Sequence, residues 1–287
     1  MKTLVIDASC SLILRDATAG RLARKHHFLL IDWLLQEIAT HGSNPDHSIP
    51  PAEERTNNPT IRNALTRALG LPGRGCLNNE FGILWEVGRG ESARTAPGAV
   101  LSLDLALRIA CSGEIEEESR AVEENLRRIT SIPMMGPRDP LRNALRRIQG
   151  KKEFFVWLAE ALARPDVRRK SMEEARGFAA IAVQRGWINQ AQISPSFRPD
   201  EGWLSFGIMI AAEGLRLWKL WAHQNRDVVL PNPFFDAMYV AYVAIADGLL
   251  SCDRGQLGLA WAVWPAKRNG LYYWDQCTGA ERPFSLD

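Results

Sequence analysis

Cysteine is scarce and scattered. Five occur in 287 residues, Cys10, Cys76, Cys111, Cys252 and Cys277, an odd number with no Cys-x-x-Cys pair. That argues against a disulfide-stapled scaffold and against a thiolate zinc site, and predicts reduced thiols in a cytoplasm. Long hydrophobic runs are missing too. No segment reaches the roughly 18 uninterrupted apolar residues of a membrane span, because Glu213, Asp236 and Asp247 break the most apolar stretches. No membrane partner is expected. The start, MKTLVIDASCS, has too short an apolar run for a signal peptide, and Asp7 interrupts it. Nor is there an excess of one charge. Lys and Arg number 35 against 33 Asp and Glu, a formal net charge of +2. Total charge therefore decides nothing about nucleic acid, and only a local patch can. Gly-x-Ser-x-Gly is absent, and GLPGRG lacks the Lys-Ser/Thr of a phosphate-binding loop. No His/Cys pair suggests a nucleophile. Internal repeats and low-complexity tracts are absent as well.

What is present looks like an ordinary globular chain, 46% apolar and 24% charged. KTLVID reads as a buried first strand, followed by a polar turn and a helix over LILRDATAGRLARKH. HFLLID is a second strand, and WLLQEIATHG a helix stopped by Gly42. This β-α-β-α order predicts a parallel sheet covered by helices. From Asn44 the texture becomes rich in Pro, Asn and charge, then helical, with Asp139 and Pro140 opening one helix. No strand is expected there. After EGWLSFGIMIAAEGLRLWKLWAHQ comes a buried helix, PFFDAMYVAYVAIA, with Asn232 as its cap. A short strand DGLLS, a further helix and a final edge strand NGLYYWD complete the chain. The expected division is one α/β domain from 1–44 plus 196–287, interrupted by an α-helical insertion over 45–195.

The late apolar run carries three acids, Asp236, Asp247 and Asp253. A carboxylate in so apolar a setting is costly unless it is paired or binds a metal. Asp7 at the end of the first strand and Glu37 in the helix after the second add to the set. In an open parallel sheet, ligands bind beyond the carboxyl ends of the strands, where Asp7 and Asp253 project. Asp236, near a helix N-terminus, is expected at the same edge. Clustered carboxylates repel, and a divalent cation relieves the repulsion. Mg²⁺ and Mn²⁺ both accept carboxylate and water ligands and serve phosphodiester chemistry. Each acid also has a plain alternative. Asp7 can cap the next helix, Glu37 can be a solvated helix residue, Asp236 can complement a helix dipole, and Asp253 can belong to a turn. Asp247 stands eleven residues after Asp236, on the same helical face, as a weaker ligand candidate or a helix end.

The motifs LVIDAS, FLLIDWLLQEI and FFDAMYVAYVAIADGLLSCD together resemble the PIN-like nuclease family. In that family an early strand ends in Asp, a second strand precedes a helix bearing Glu, and a late Asp-bearing helix runs into a strand and a Thr/Ser-x-Asp turn. The spacing of about seventeen residues between Asp236 and Asp253, with the apolar helix and Ser-x-Asp, is the strongest part of the match. The resemblance covers 1–44 and 200–265. It implies a three-layer α/β domain with metal-dependent endonuclease activity, usually on single-stranded RNA, with DNA a second substrate class. It makes Asp7, Glu37, Asp236 and Asp253 the catalytic and Mg²⁺ or Mn²⁺ ligands, with Ser9 and Ser251 in support. A toxin or defence context, with an inhibitor or complex partner on the insertion, is natural for such a fold.

The insertion carries a basic stretch around Arg138: Arg142, Arg146, Arg147, Lys151 and Lys152, then Arg164, Arg168, Arg169 and Lys170. Interleaved with Phe154, Phe155 and Trp157, it can hold a nucleic-acid backbone and stack bases, or form a solvated face over buried aromatics. The acidic run Glu114 to Glu124 reads as a solvated face or a partner for it. Arg21 with His26 and Arg216 with His223 resemble the loose motif of metal-free HEPN ribonucleases, a pattern that chance supplies easily. IDAS lacks the second Asp of a HAD-type phosphatase. A structure-specific DNA nuclease and a non-catalytic interaction protein are the competing readings.

Overall fold

The computed structural model describes residues 1–13, 16–41, 56–111, 140–224 and 233–287. The acidic run from Glu114, Arg138 and the expected caps Asp139 and Asn232 lie outside them. Six strands form one sheet: β1 (Lys2–Ile6), β2 (His26–Ile31), β3 (Gly73–Leu77), β4 (Gly248–Ser251), β5 (Leu271–Asp275) and β6 (Ala280–Pro283). Their order is β3-β2-β1-β4-β5-β6. All neighbours are parallel except β5 and β6. Successive strand residues face opposite sides of a sheet. Leu4, Val5 and Ile6 of β1 are all fully buried, as are Leu249 and Leu250 of β4. Helices therefore cover both faces, an α/β arrangement compatible with three layers.

The expected first helix is two: α1 (Ala8–Ile13) and α2 (Asp16–Ala23). Helix α3 (Asp32–His41) follows β2 as the sequence predicts. The stretch expected to be purely helical departs from that reading, because it supplies β3. Two glycines in five residues hide this strand from any propensity argument. Gly75 is there for a geometric reason. Its φ is +85°, and a Cβ would lie 2.6 Å from the Ala99 carbonyl oxygen, whose residue bridges Cys76. Helices α4 (Pro59–Leu69), α5 (Asn79–Arg89) and α6 (Leu103–Cys111) come from the same region, and α4 and α6 pack on α3. β5 is not the edge strand, since β6 pairs with its outer side.

Four helices follow in the middle stretch: α7 (Pro140–Arg147), α8 (Lys151–Ala163), α9 (Pro165–Arg176) and α10 (Phe178–Gln184). Then come α11 (Leu204–Gln224), α12 (Pro233–Tyr242) and α13 (Arg254–Val263). Helix α11 is apolar on most of its circumference and is buried against α12, α9 and α13, as such a helix must be. Helix α8 docks on α13 and α11. Phe154 stacks on Trp221 at 4.5 Å, and Phe155 meets Trp218 edge-on at 5.4 Å. The Phe155 ring also fills the space over Gly258, where a Cβ would lie 2.3 Å from a ring carbon. One continuous core runs from the sheet through these contacts. Residues from 45–195 thus build the sheet and the core as well as surrounding them.

The α11 N-terminus is held by an acid that the sequence reading passed over. Glu86 in α5 is fully buried. Its Oε1 accepts from the backbone N–H of Leu204 (2.6 Å) and Ala93 (3.0 Å), and its Oε2 from that of Ser205 (3.0 Å). A carboxylate is well placed there, because the first amides of a helix lack partners and carry partial positive charge. Burial nevertheless pushes the Glu86 carboxyl above its ordinary range.

Candidate functional site

The strand order reverses between β1 and β4. β1 connects onward to β2 on one side, while β4 connects to β5 on the other. At such a switch point the loops leaving the two strands diverge and open a crevice beyond their carboxyl ends. Asp7 follows β1 directly, and Asp253 follows β4 by two residues. The strands are in register there, Ile6 beside Leu250, and Asp7 N–H donates to the Leu250 carbonyl at 3.3 Å.

Asp7 is buried and well hydrogen-bonded. Its Oδ1 accepts from the Cys10 N–H (2.7 Å) and the Ser9 hydroxyl (2.8 Å), and its Oδ2 accepts from the Ser251 hydroxyl. Ser251 Oγ in turn accepts from the Asp253 N–H at 2.8 Å. The Ser-x-Asp turn therefore joins the two strand ends through one hydroxyl. Asp253 caps α13, accepting from the N–H of Gly255 (2.5 Å) and Gln256 (3.2 Å). The plain reading of Asp7 as the cap of the next helix thus holds as a local fact, while Asp253, expected to belong to a turn, is the cap of α13.

Glu37 and Asp236 come from helices that meet over this edge. Glu37 lies in the second turn of α3, where Tyr239 of α12 donates its hydroxyl to Oε2 at 2.7 Å. Asp236 lies in the first turn of α12 and accepts from Gln256 Nε2 at 3.1 Å. Sequence reasoning missed both supporting residues. Tyr239 follows Asp236 by three, one helical turn on. Gln256 follows Asp253 by three, the spacing of a capping box.

Glu37 and Asp236 feel the neighbouring acids. Burial raises the Asp236 carboxyl well above its usual range, and Asp253, Glu37 and Asp7 push it further; Gln256 pulls it back only in part. Burial lifts Glu37 to about 7, with Asp7 and Asp253 adding to the rise and the Tyr239 bond opposing it. Asp7 is also raised by burial, against the hydrogen bonds from Ser251, Cys10 and Ser9. Among the described residues, no Lys or Arg pairs with Asp7, Asp236 or Asp253. Nor do three His, Cys, Asp or Glu side chains among the described residues converge as a ligand set for one ion. The donor chemistry, carboxylate and hydroxyl oxygen, suits a hard cation that keeps several of its waters and takes few protein ligands directly.

This arrangement fixes a pH dependence. The folded-state pKa of Glu37 lies above its ordinary 4.5. The fold therefore binds more protons than the unfolded chain between those values, and stability falls as pH rises from about 4.5 to about 7. In EDTA, the protein is expected to be less stable at pH 8 than at pH 5 by about 1–3 kcal/mol after allowance for partial exposure. Urea denaturation at both pH values checks this, and Glu37→Gln should flatten the difference. An unchanged difference in Glu37→Gln would show that the coupling resides elsewhere.

Asp247 is not part of this edge. Helix α12 ends at Tyr242, and Asp247 sits before β4, at the amino end of the sheet. It accepts from Thr3 N–H (2.8 Å) and pairs with Arg94 (2.9 Å), so its role is to anchor β4 to β1.

The basic stretch divides. Arg146, Arg147, Lys151, Arg169 and Lys170 are exposed, and Arg142 is partly buried. Arg168 is committed elsewhere: it pairs with both oxygens of Glu201 (2.5 and 2.8 Å) and lies over the Phe206 ring. Lys152 pairs with Asp287, whose backbone carbonyl accepts from Arg254 at 3.0 Å, next to Asp253. That contact ties the start of α8 to the start of α13. Phe154 and Phe155 are core residues, and Trp157 packs against that core, so the aromatics are not a stacking platform for bases. His26 is buried against Glu281, and Arg216 pairs with Glu213 on its own helix, which leaves neither Arg/His pair as a site.

No helix of the described residues is long and apolar enough to cross a membrane. No family model, no curated protein and no solved structure matches this chain.

Proposed function

We propose that the protein is a Mg²⁺- or Mn²⁺-dependent endoribonuclease of PIN-like design that hydrolyses phosphodiester bonds of single-stranded RNA. The observation that carries this reading is that Asp7, Glu37, Asp236 and Asp253 come from four separate elements to one sheet edge, where burial raises the first three in pKa and neighbouring acids add to the rise of Glu37 and Asp236. Largely buried acids at a ligand-binding edge are costly to the fold, and a bound divalent cation would relieve that cost. When bound, the ion neutralises the phosphodiester and activates water for attack on phosphorus. The chain's own residues would do the positioning. Asp236, in the first turn of α12, and Asp253, at the start of α13, would hold the ion or its waters. Asp7 is aimed by Ser9 and Ser251, and Glu37 by Tyr239. The exposed cations Lys151, Arg146 and Arg147 would take the nucleic-acid backbone.

A second reading is favoured by the separation of the acids and by their local duties as caps. Under it, the scaffold is a non-catalytic interaction protein. The deciding experiment is cleavage of end-labelled single-stranded RNA and DNA in Mg²⁺, Mn²⁺ or EDTA, with wild type and Asp7→Asn. Cleavage that needs the metal and is lost in the variant supports the nuclease, and preference for DNA would replace RNA as substrate. No cleavage of either, together with no thermal shift from Mn²⁺, would support the interaction protein.

A further inference from the structure

Two of the scattered thiols are neighbours. Cys10 in α1 and Cys252 after β4 stand 242 positions apart in sequence, and their Sγ atoms are 3.2 Å apart. Both belong to the loops that carry the acids. Cys10 N–H donates to Asp7, and Cys252 lies between Ser251 and Asp253. Cys10 is fully buried, whereas Cys252 is partly exposed and can be reached from solvent. The remaining thiols have no such geometry: Cys76 and Cys111 are buried in other parts of the core, and Cys277 is exposed near the β5–β6 turn.

A disulfide needs an S–S distance of about 2.05 Å, so each sulfur would move by about half an ångström, within reach of small side-chain rotations. The exposure of the two thiols sets the order of events. We propose that Cys10 and Cys252 form a reversible intramolecular disulfide that ties the loop after β1 to the loop after β4. The oxidant is a small-molecule disulfide such as oxidised glutathione. Cys252, as thiolate, attacks one of its sulfurs, forms a mixed disulfide and releases one thiol. Cys10 then attacks the Cys252 sulfur, forms the Cys10–Cys252 bond and releases the second thiol. Two electrons pass from the protein to the oxidant, and the two thiol protons leave on the released small molecules. The new bond would draw Cys252 and its neighbours Ser251 and Asp253 toward α1, altering the bridge from Ser251 to Asp7.

The test uses the full chain with Cys277→Ser, so that the exposed thiol forms no bonds between molecules. The folded protein is treated with oxidised glutathione, its free thiols are blocked, and it is digested with trypsin. The expected product joins the peptides Thr3–Arg15 and Asp227–Arg254. Its mass is their sum less two hydrogen atoms, and dithiothreitol dissolves it. Blocked thiols at both positions would overturn the proposal. So would glutathione retained on Cys252, or a bond from Cys10 or Cys252 to Cys76 or Cys111. Mapping does not depend on activity. The predicted effect on cleavage rests on the nuclease reading. If the reduced protein cleaves RNA, the oxidised protein should do so about tenfold more slowly or worse, because small displacements at a reacting centre are costly. Equal rates would overturn the coupling of the thiols to the acids, while a reduced protein that fails to cleave would count against the nuclease reading alone.

Discussion

Asp236→Asn is expected to lose metal-dependent RNA cleavage by about a hundredfold or more while raising the thermal midpoint of the metal-free protein. The two halves of this result have one cause. Asp236 is a half-buried carboxylate repelled by Asp253, Glu37 and Asp7, with one hydrogen bond among the described residues, from Gln256, in its favour. Asparagine keeps an oxygen to accept that bond and drops the charge. The fold gains what the repulsion cost, and the proposed metal site loses one of its ligands. A residue kept only for structure would behave in the opposite way, because its removal would destabilise. The measurements are cleavage rates in Mn²⁺ and thermal unfolding in EDTA. A variant that melts lower and still cuts would sink both the assignment of Asp236 and the electrostatic argument behind it. Mn²⁺ should also raise the wild-type midpoint and leave that of Asp236→Asn nearly unchanged, since only binding to the folded state stabilises.

Glu86→Ala is expected to destabilise the protein by about 3–5 kcal/mol, more than any single surface change. The substitution would leave the amides of Ala93, Leu204 and Ser205 buried without their acceptor, and open a void between α5 and α11. Glu86→Gln should cost less, because its amide oxygen can still serve Leu204 and Ala93 while its NH₂ group faces the Ser205 N–H. Urea denaturation of both variants checks the order. A loss under about 1 kcal/mol for alanine would mean that water replaces the carboxylate there. The consequence reaches the candidate site, since α11 packs on both α12 and α13, the helices that carry Asp236 and follow Asp253.

Asp236 and Glu86 show where sequence reasoning succeeds and where it stops. Both are acids in apolar surroundings. Asp236 stood out because it sits in an almost unbroken apolar run and recurs with Ser-x-Asp at a set spacing. Glu86 did not, because LWEVGRGE looks like an ordinary helix end and its partners come from residues 93 and 204–205. Arg168 and Phe155 were left between two readings for a related reason. A basic, aromatic-rich helix has the same composition whether its aromatics face solvent or core, and only the packing of α8 on α13 distinguishes the two.

Local chemistry, legible along the chain, determined the strands β1, β2 and β4, the helices that follow them, and the acids at their ends. Apolar periodicity and capping residues act over a few positions, so a linear reading captures them. Tertiary structure alone decided what depends on distant residues meeting. It admitted the glycine-rich β3, whose conformation is set by β2 and Ala99 and not by its own propensity. Asp247 was placed at the opposite end of the sheet because α12 stops a turn and more before it. The same folding brought Cys10 against Cys252, because parallel pairing of β1 with β4 aligns the loops at their carboxyl ends. Side-by-side strands from opposite ends of a chain carry no mutual signal in either segment, and their pairing appears only when the whole core is assembled.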